Sequence, residues 1–195
     1  DTSRGLGDVY KRQIINISAT ASSISECLRD IEQQSGLKIK EILVSISGEE
    51  VSSTNSVGQA AISEKEVSAR DIENALNMSS TLKIPNDKTL LYVVPNSFFI
   101  DGQGNIDDPL GMNGIKLEAR SHLIHCSKNT KDNIKKCLKV SSSGIGIRKY
   151  FYSQLGVAHS VLTDYQKKLG VCVLDIGAGT TDISVYQNGS ITFSK

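Results

Sequence analysis

Near its C-terminal end the chain runs Val171-Cys-Val-Leu-Asp175-Ile-Gly177-Ala178-Gly179-Thr180-Thr181-Asp182-Ile-Ser-Val-Tyr186, and this stretch limits the possible folds more tightly than any other. An apolar run over residues 171–174 enters a glycine turn bracketed by Asp175 and Asp182, and Ile183 and Val185 alternate on the way out. The pattern predicts strand, tight turn, strand. Gly177 and Gly179 permit positive φ and leave no Cβ in the way, so consecutive N–H groups can point into one concave spot suited to phosphate oxygens. A carboxylate beside a phosphate is repelled unless a cation lies between them, so Asp175 reads as a ligand to Mg²⁺ through water, with the Thr180 hydroxyl on the phosphate or in the metal shell. The plainer alternative is a hairpin whose glycines serve only the turn.

Asp directly after a buried strand, Gly two residues on, then Gly-Thr and a second Asp before a new strand resembles the phosphate loop of the actin, Hsp70 and sugar-kinase superfamily. Further segments narrow the resemblance: Ser160-Val161-Leu162-Thr163 with Leu169-Gly170-Val171, Ile46-Ser47-Gly48, Ala61-Ile62-Ser63, His122-Leu123-Ile124 and Tyr92-Val93-Val94-Pro95. Spread along the chain in family order, they are similar to FtsA, a family of actin-like bacterial cell-division proteins, over residues 42–195. The resemblance implies an α/β fold: an actin-like (ribonuclease H-like) domain with an inserted α+β subdomain, here as a fragment. It implies ATP and Mg²⁺ as cofactors, with Asp175 orienting the ion through water, Gly177, Ala178, Gly179, Thr180 and Thr181 forming the phosphate loop, and Asp182 supporting the turn. Ala178 stands where the superfamily often has glycine.

The family's role, by the same resemblance, is self-assembly into a homo-polymer that tethers the FtsZ ring, with other division proteins, to the cytoplasmic face of the membrane at the septum. A C-terminal amphipathic helix makes the membrane contact in that family and is not found here. Nor are the first phosphate loop, upstream of Ile14, or the adenosine site, downstream of Lys195. A weak ATPase of the whole protein is the most that is implied, and the fragment is expected to be inactive. A sugar kinase of the same superfamily, or an interaction module with a purely structural glycine turn, are the rival readings.

A net charge of +1 supplies no basic or acidic field, so nothing points to nucleic acid. No apolar run approaches the roughly 18–20 residues of a membrane span. Cys27, Cys126, Cys137 and Cys172 stand apart in the sequence and read as buried thiols. His122 and His125 are three apart on an expected strand, which puts them on opposite faces and argues against a shared metal.

The expected organisation is an artefactual or disordered leader at residues 1–13; subdomain 1A at 14–41; the inserted subdomain 1C (SHS2-type) at 42–126; a return to 1A at 127–168; and the start of 2A at 169–195. Ser22 or Ser23 is expected to cap a helix ending at Gly36, with Ile24, Cys27, Leu28 and Ile31 on its buried stripe. Strands are expected at residues 42–47, at 51–61 as a sheet edge, at 90–94 ending at Pro95, and at 115–126. Ser68-Ala-Arg-Asp71 has capping-box spacing, with Val67 and Ile72 as a staple. Residues 101–113 read as loop with solvated acids, 141–146 as a flexible joint and 148–163 as a helix. Asn188-Gly189 suits a hairpin turn.

Overall fold

The structure, a computed structural model, describes residues 9–10, 13–81, 84–141 and 144–195. Most of the expected leader, and Ser142 and Ser143 of the expected joint, lie outside the described residues. Strands β1 (Val9–Tyr10) and β2 (Gln13–Ile14) pair antiparallel, and helix α1 (Ile17–Ser35) follows. Its cap is Asn16, whose Oδ1 accepts from Ala19 N–H at 3.0 Å, six residues before the expected Ser22. Ser22 and Ser23 instead donate back to the carbonyls of Ser18 and Ala19 inside the helix. Gly36 ends it as expected, left-handed with φ 70°, its N–H on the Glu32 carbonyl.

Strand β3 (Glu41–Ile46) was expected at the head of the middle block, but it pairs in parallel with a strand from far along the chain, β8 (Gly146–Tyr152). A parallel pair needs a long crossover, and the whole middle of the chain supplies it. That middle is an antiparallel sheet of β4 (Val51–Ala61), β5 (Lys88–Ile100), β6 (Gln103–Ile106) and β7 (Lys116–Ser127), in the order β4-β7-β5-β6. Strand β4 lies at the edge, as its Ser- and Asn-rich sequence predicts. Pro95 does not stop β5, because it sits at a bulge where the register slips between Pro95 and Ser97. Asp101 and Gly102, at φ 49° and 88°, turn β5 into β6, which the sequence reading leaves as loop. Nor is Asp101 merely solvated: its carboxylate accepts from the N–H groups of Ile115 and Lys116, at 3.0 and 2.9 Å, where β7 begins.

Helix α2 (Ala69–Ser80) covers one face of this sheet and closes a core of Val67, Ala75, Phe98, Ile100, Leu117 and Ala119. Its capping box forms as expected, and Val67 and Ile72 pack into the same core. Asp71 is 1% exposed, and its two oxygens accept from the N–H and hydroxyl of both Ser68 and Ser63. The Ser68 hydroxyl first, then that of Ser63 and the Ser68 N–H, hold its carboxyl far below the usual carboxylate range. Gly58 is where strand meets helix: a Cβ there would collide with the Ala75 carbonyl and the Ser79 N–H. Ser79 also hydrogen-bonds Ser121 across the same interface, at 2.9 Å.

Helix α3 (Lys128–Ser141) packs on α1, with the Cys137 thiol against the Ile17 carbonyl. Residues 148–152, expected as helix, belong to β8, where the aromatic run Tyr150-Phe151-Tyr152 suits a strand. Helix α4 (Ser153–Val161) begins only after it, and α5 (Asp164–Leu169) has its own capping box, Thr163 with Gln166. The last sheet is β9 (Val171–Ile176), β10 (Thr181–Gln187) and β11 (Ser190–Ser194), in the order β11-β10-β9. Asn188 and Gly189 make its hairpin turn at φ 53° and 85°, as expected. Cys126 and Cys137 are buried, whereas Cys27 and Cys172 are exposed, contrary to expectation. Both exposed thiols sit on apolar stripes that the described residues leave uncovered, beside Ile31 on α1 and Leu174 on β9.

Gly58→Ala should cost about 1–3 kcal/mol, since α2 must lift from the sheet to admit the methyl group, and urea unfolding reads this directly. Asp71 contributes stability that is present above its unfolded pKa, about 4, and is lost as pH falls through its depressed folded value. Asp71→Asn should therefore unfold at lower urea than the parent at pH 7, with the gap narrowing only below about pH 4.

Candidate phosphate-binding site

Strands β9 and β10 pair with Asp182 directly opposite Asp175 and Thr181 opposite Ile176. Directly opposed residues share a face, so the two carboxylates lie side by side on the face that looks toward α4. Asp182 is 4% exposed and Asp175 is half-buried. Like charges so placed repel, and a donor from α4 answers part of that repulsion. Gln154, wholly buried in the first turn of α4, gives Nε2–H to Asp175 Oδ2 at 3.0 Å, while its own Oε1 is buried without a partner. Sequence reading missed Gln154. Its only signal is a polar residue among apolar neighbours at the start of a helix, and the expected helix began too early to show it.

The turn between the strands is exposed. Gly177 donates its N–H to the Thr180 carbonyl at 2.9 Å and so closes the turn on itself. That bond takes Gly177 out of the expected set of phosphate donors in this structure. Neither Gly177 nor Gly179 has the positive φ that the sequence suggests; the left-handed residues flank the strands, at Gly170, Asn188 and Gly189. A Cβ at Gly179 would meet nothing within 4 Å, so neither φ nor crowding within this structure requires a glycine there. Ala178 is compatible with such a turn, because no positive φ is asked of it. Ala178 and Gly179 are exposed in the turn, and the Thr180 hydroxyl is buried without a partner among the described residues. Thr181 is the first residue of β10 and supports the turn through the strand ladder.

This donor set fits a hard divalent cation between carboxylate and phosphate oxygens. Among the described residues no three His, Cys, Asp or Glu side chains gather into a metal site, so an ion here would keep much of its water. His122 and His125 do lie on opposite faces of β7: one meets Asn55 and Ser194, the other pairs across to Ser52. Behind the carboxylates stands Tyr152, whose hydroxyl is pushed up to about 12 by burial, with Asp182 and Tyr186 adding to the shift.

The fold is thus a mixed α/β arrangement in which an acidic glycine turn stands beside a four-stranded sheet carrying one helix. A solved structure described as "PilM-PilN type IV pilus biogenesis complex" shares that fold over 97% of this chain and 51% of its own, with a TM-score of 0.62 at 12% identity. Residues 48–125 match the family model "SHS2 domain inserted in FTSA". "Cell division protein FtsA" of Pseudomonas aeruginosa is 39% identical over 189 residues, covering 97% of this chain and 44% of that protein. The proteins of the same description from Neisseria meningitidis serogroup B and Escherichia coli K12 are 35% and 31% identical, with 46% and 45% of their lengths covered. The chain therefore spans a little under half the length of these curated relatives, and over nearly all of its own length it is similar to FtsA cell-division proteins.

Gln154→Ala should cost about 1–3 kcal/mol of stability by leaving the Asp175 carboxylate without its donor, and a thermal or urea midpoint equal to the parent's would count against that role.

Proposed function

We propose that the protein binds ATP at the turn over residues 177–181, with Mg²⁺ held by Asp175 through water, and acts in cell division as an actin-like protein that self-assembles. The observation that carries this reading is the cross-strand pair of Asp175 and Asp182, a repulsion that a divalent cation relieves. The amides of Ala178 and Gly179 and the Thr180 hydroxyl would bind phosphate, and Asp182 would hold the turn from behind. Bound there, Mg²⁺ supplies charge neutralisation of the phosphates.

The proposed organisation follows the family resemblance, with residues 14–41 and 127–168 in an actin-like subdomain 1A. An inserted subdomain 1C lies within residues 42–126, and 2A opens at residue 169. Pairing of β3 with β8 supports one unit on both sides of the insertion, and with the family match over residues 48–125 it favours a start of the insertion near residue 48. In this reading the whole protein forms a homo-polymer and tethers the FtsZ ring, with other division proteins, to the cytoplasmic face of the membrane at the septum. No helix among the described residues is long and apolar enough to cross a membrane. The attachment proposed here is the one the family resemblance implies, peripheral and made by a C-terminal helix. At most a weak ATPase is proposed, and only for the whole protein.

In the full-length protein, Asp175→Ala should weaken Mg-ATP binding by about 1–3 kcal/mol, the scale of a lost charge-assisted contact. ATP with chelator should bind parent and variant alike, since the carboxylate then has no ion to hold. Calorimetry giving the same Mg-ATP affinity for both proteins would overturn the assignment and leave the turn as a structural hairpin.

A further inference from the structure

Strand β11 is the outer strand of its sheet, so one of its edges carries carbonyls that no strand pairs. Lys195 exchanges both backbone bonds with Ile183, at 2.9 and 2.7 Å, which turns the carbonyls of Thr192 and Ser194 to the other side. There they meet side chains. Ser53 Oγ donates to the Ser194 carbonyl at 2.7 Å, and Asn55 Nδ2 to the Thr192 carbonyl at 3.1 Å. Ser53 and Asn55 stand two residues apart on β4, on one face of its sheet, and match the spacing of the two carbonyls.

The orientation of Asn55 fixes what lies behind it. With Nδ2 on Thr192, Oδ1 faces His122 Nδ1 at 2.7 Å, so that ring nitrogen carries the proton. His122 Nε2 is then the acceptor, and the Ser194 hydroxyl donates to it at 2.9 Å. Donors therefore run in one sense, from Ser194 through His122 and Asn55 to the Thr192 carbonyl. This needs a neutral His122, and burial, with His125 nearby, lowers its pKa to about 4.

Ser194, where this chain of bonds begins, leads to the phosphate turn through its neighbour Lys195. Ile183, paired with Lys195, is next to Asp182, which lies opposite Asp175. Two strand spacings, about 10 Å in all, separate β11 from β9.

We propose that the chain of hydrogen bonds through Ser194, His122 and Asn55 fastens the phosphate hairpin to the SHS2 sheet, so that a shift of the sheet is carried to Asp175 and the turn. By linkage, an anion seated in the turn stiffens β4 in return, and this second half rests on the nucleotide reading above.

Hydrogen exchange read by mass spectrometry on the full-length protein tests it, with Asn55→Ala, Ser194→Ala and a control, Arg120→Ala. Asn55 is exposed and Ser194 loses a single oxygen, so neither substitution opens a large cavity, and exchange over α2 reports whether the fold holds. Arg120 lies on the same sheet face but outside the chain of bonds, 3.9 Å over the Phe99 ring. Peptides covering residues 175–182 should exchange at least about 5-fold faster in the first two variants, the lower end of an ordinary coupling, with α2 unchanged and the control like the parent. Unchanged exchange at the turn in both variants overturns the proposal, and so does equally faster exchange over α2, which marks general loosening. Titration with Mg-ATP separates the two readings. A parent that binds no nucleotide overturns the nucleotide reading and leaves exchange at the turn to decide the coupling; a parent that binds, with both variants equally tight, overturns transmission to the site.

Discussion

Two carboxylates in one cross-strand pair, Asp175 and Asp182, set the terms for everything around them. The pairing register of β9 and β10 leaves no choice of face, because a shift by one residue would send Asp175 to the side of Leu174 and Ile176. With both acids facing α4, that helix must begin with a donor, and Gln154 in its first turn is that donor. The start of α4 depends in turn on where β8 ends, since Tyr152 closes the strand and also serves as the N-cap residue of the helix without a side-chain cap bond. Strand β8 is held by β3, on the far side of the inserted sheet. The position of one amide near Asp175 thus depends on contacts drawn from most of the chain.

The inserted sheet is organised by close approach. Strand β7 is central and buried along most of its length, and β4 at the edge has only one strand neighbour. What keeps β4 in place on the helix side is Gly58, whose missing side chain lets α2 settle onto the strand. The helix is pinned at its start by Asp71, with four donors on one buried carboxylate, and toward its end by the Ser79 to Ser121 hydroxyl pair. These are short-range polar anchors around an aliphatic core, and they specify one seating of the helix where apolar contact alone would allow sliding.

Local chemistry was legible in the sequence wherever a few neighbouring residues decide the outcome. The Ser68 box, the Gly36 stop, the Asn188-Gly189 turn and the hairpin around the glycine turn all belong to that kind. Distant pairing was not legible. Residues 148–152 take strand form because β3 lies beside them, and no window of sequence around Tyr150 contains β3. Pro95 reads as a strand end, yet a bulge absorbs its missing N–H. Ser22 reads as a cap because hydroxyls favour caps, but Asn16 precedes it with a longer reach and an equal preference for that position. At the candidate site the strand-turn-strand was legible and its geometry was not: the pairing of the carboxylates needs the register, Gln154 needs the helix start, and the use of the Gly177 N–H inside the turn needs coordinates.

Val94 of β5 packs against the apolar cluster that holds Ile191, but where Ser53, Asn55 and His122 meet β11 the seam with the SHS2 sheet is polar, and that part decides how the two can behave. A buried apolar interface of similar extent would resist any relative displacement, because each ångström of opening exposes hydrocarbon. Side chain to carbonyl bonds such as those of Ser53 and Asn55 contribute only about 0.5–1.5 kcal/mol each, and water can replace them at exposed positions. His122 is different, since it is buried and bonded at both nitrogens, so losing either partner strands a polar atom away from water. The seam therefore combines a yielding rim with one stiff central bond. The same side chains cover the outer edge of β11, which would otherwise offer bare carbonyls to a foreign strand. Protection of that edge and attachment of the hairpin to the sheet are thus the work of one set of residues, and neither can be altered without disturbing the other.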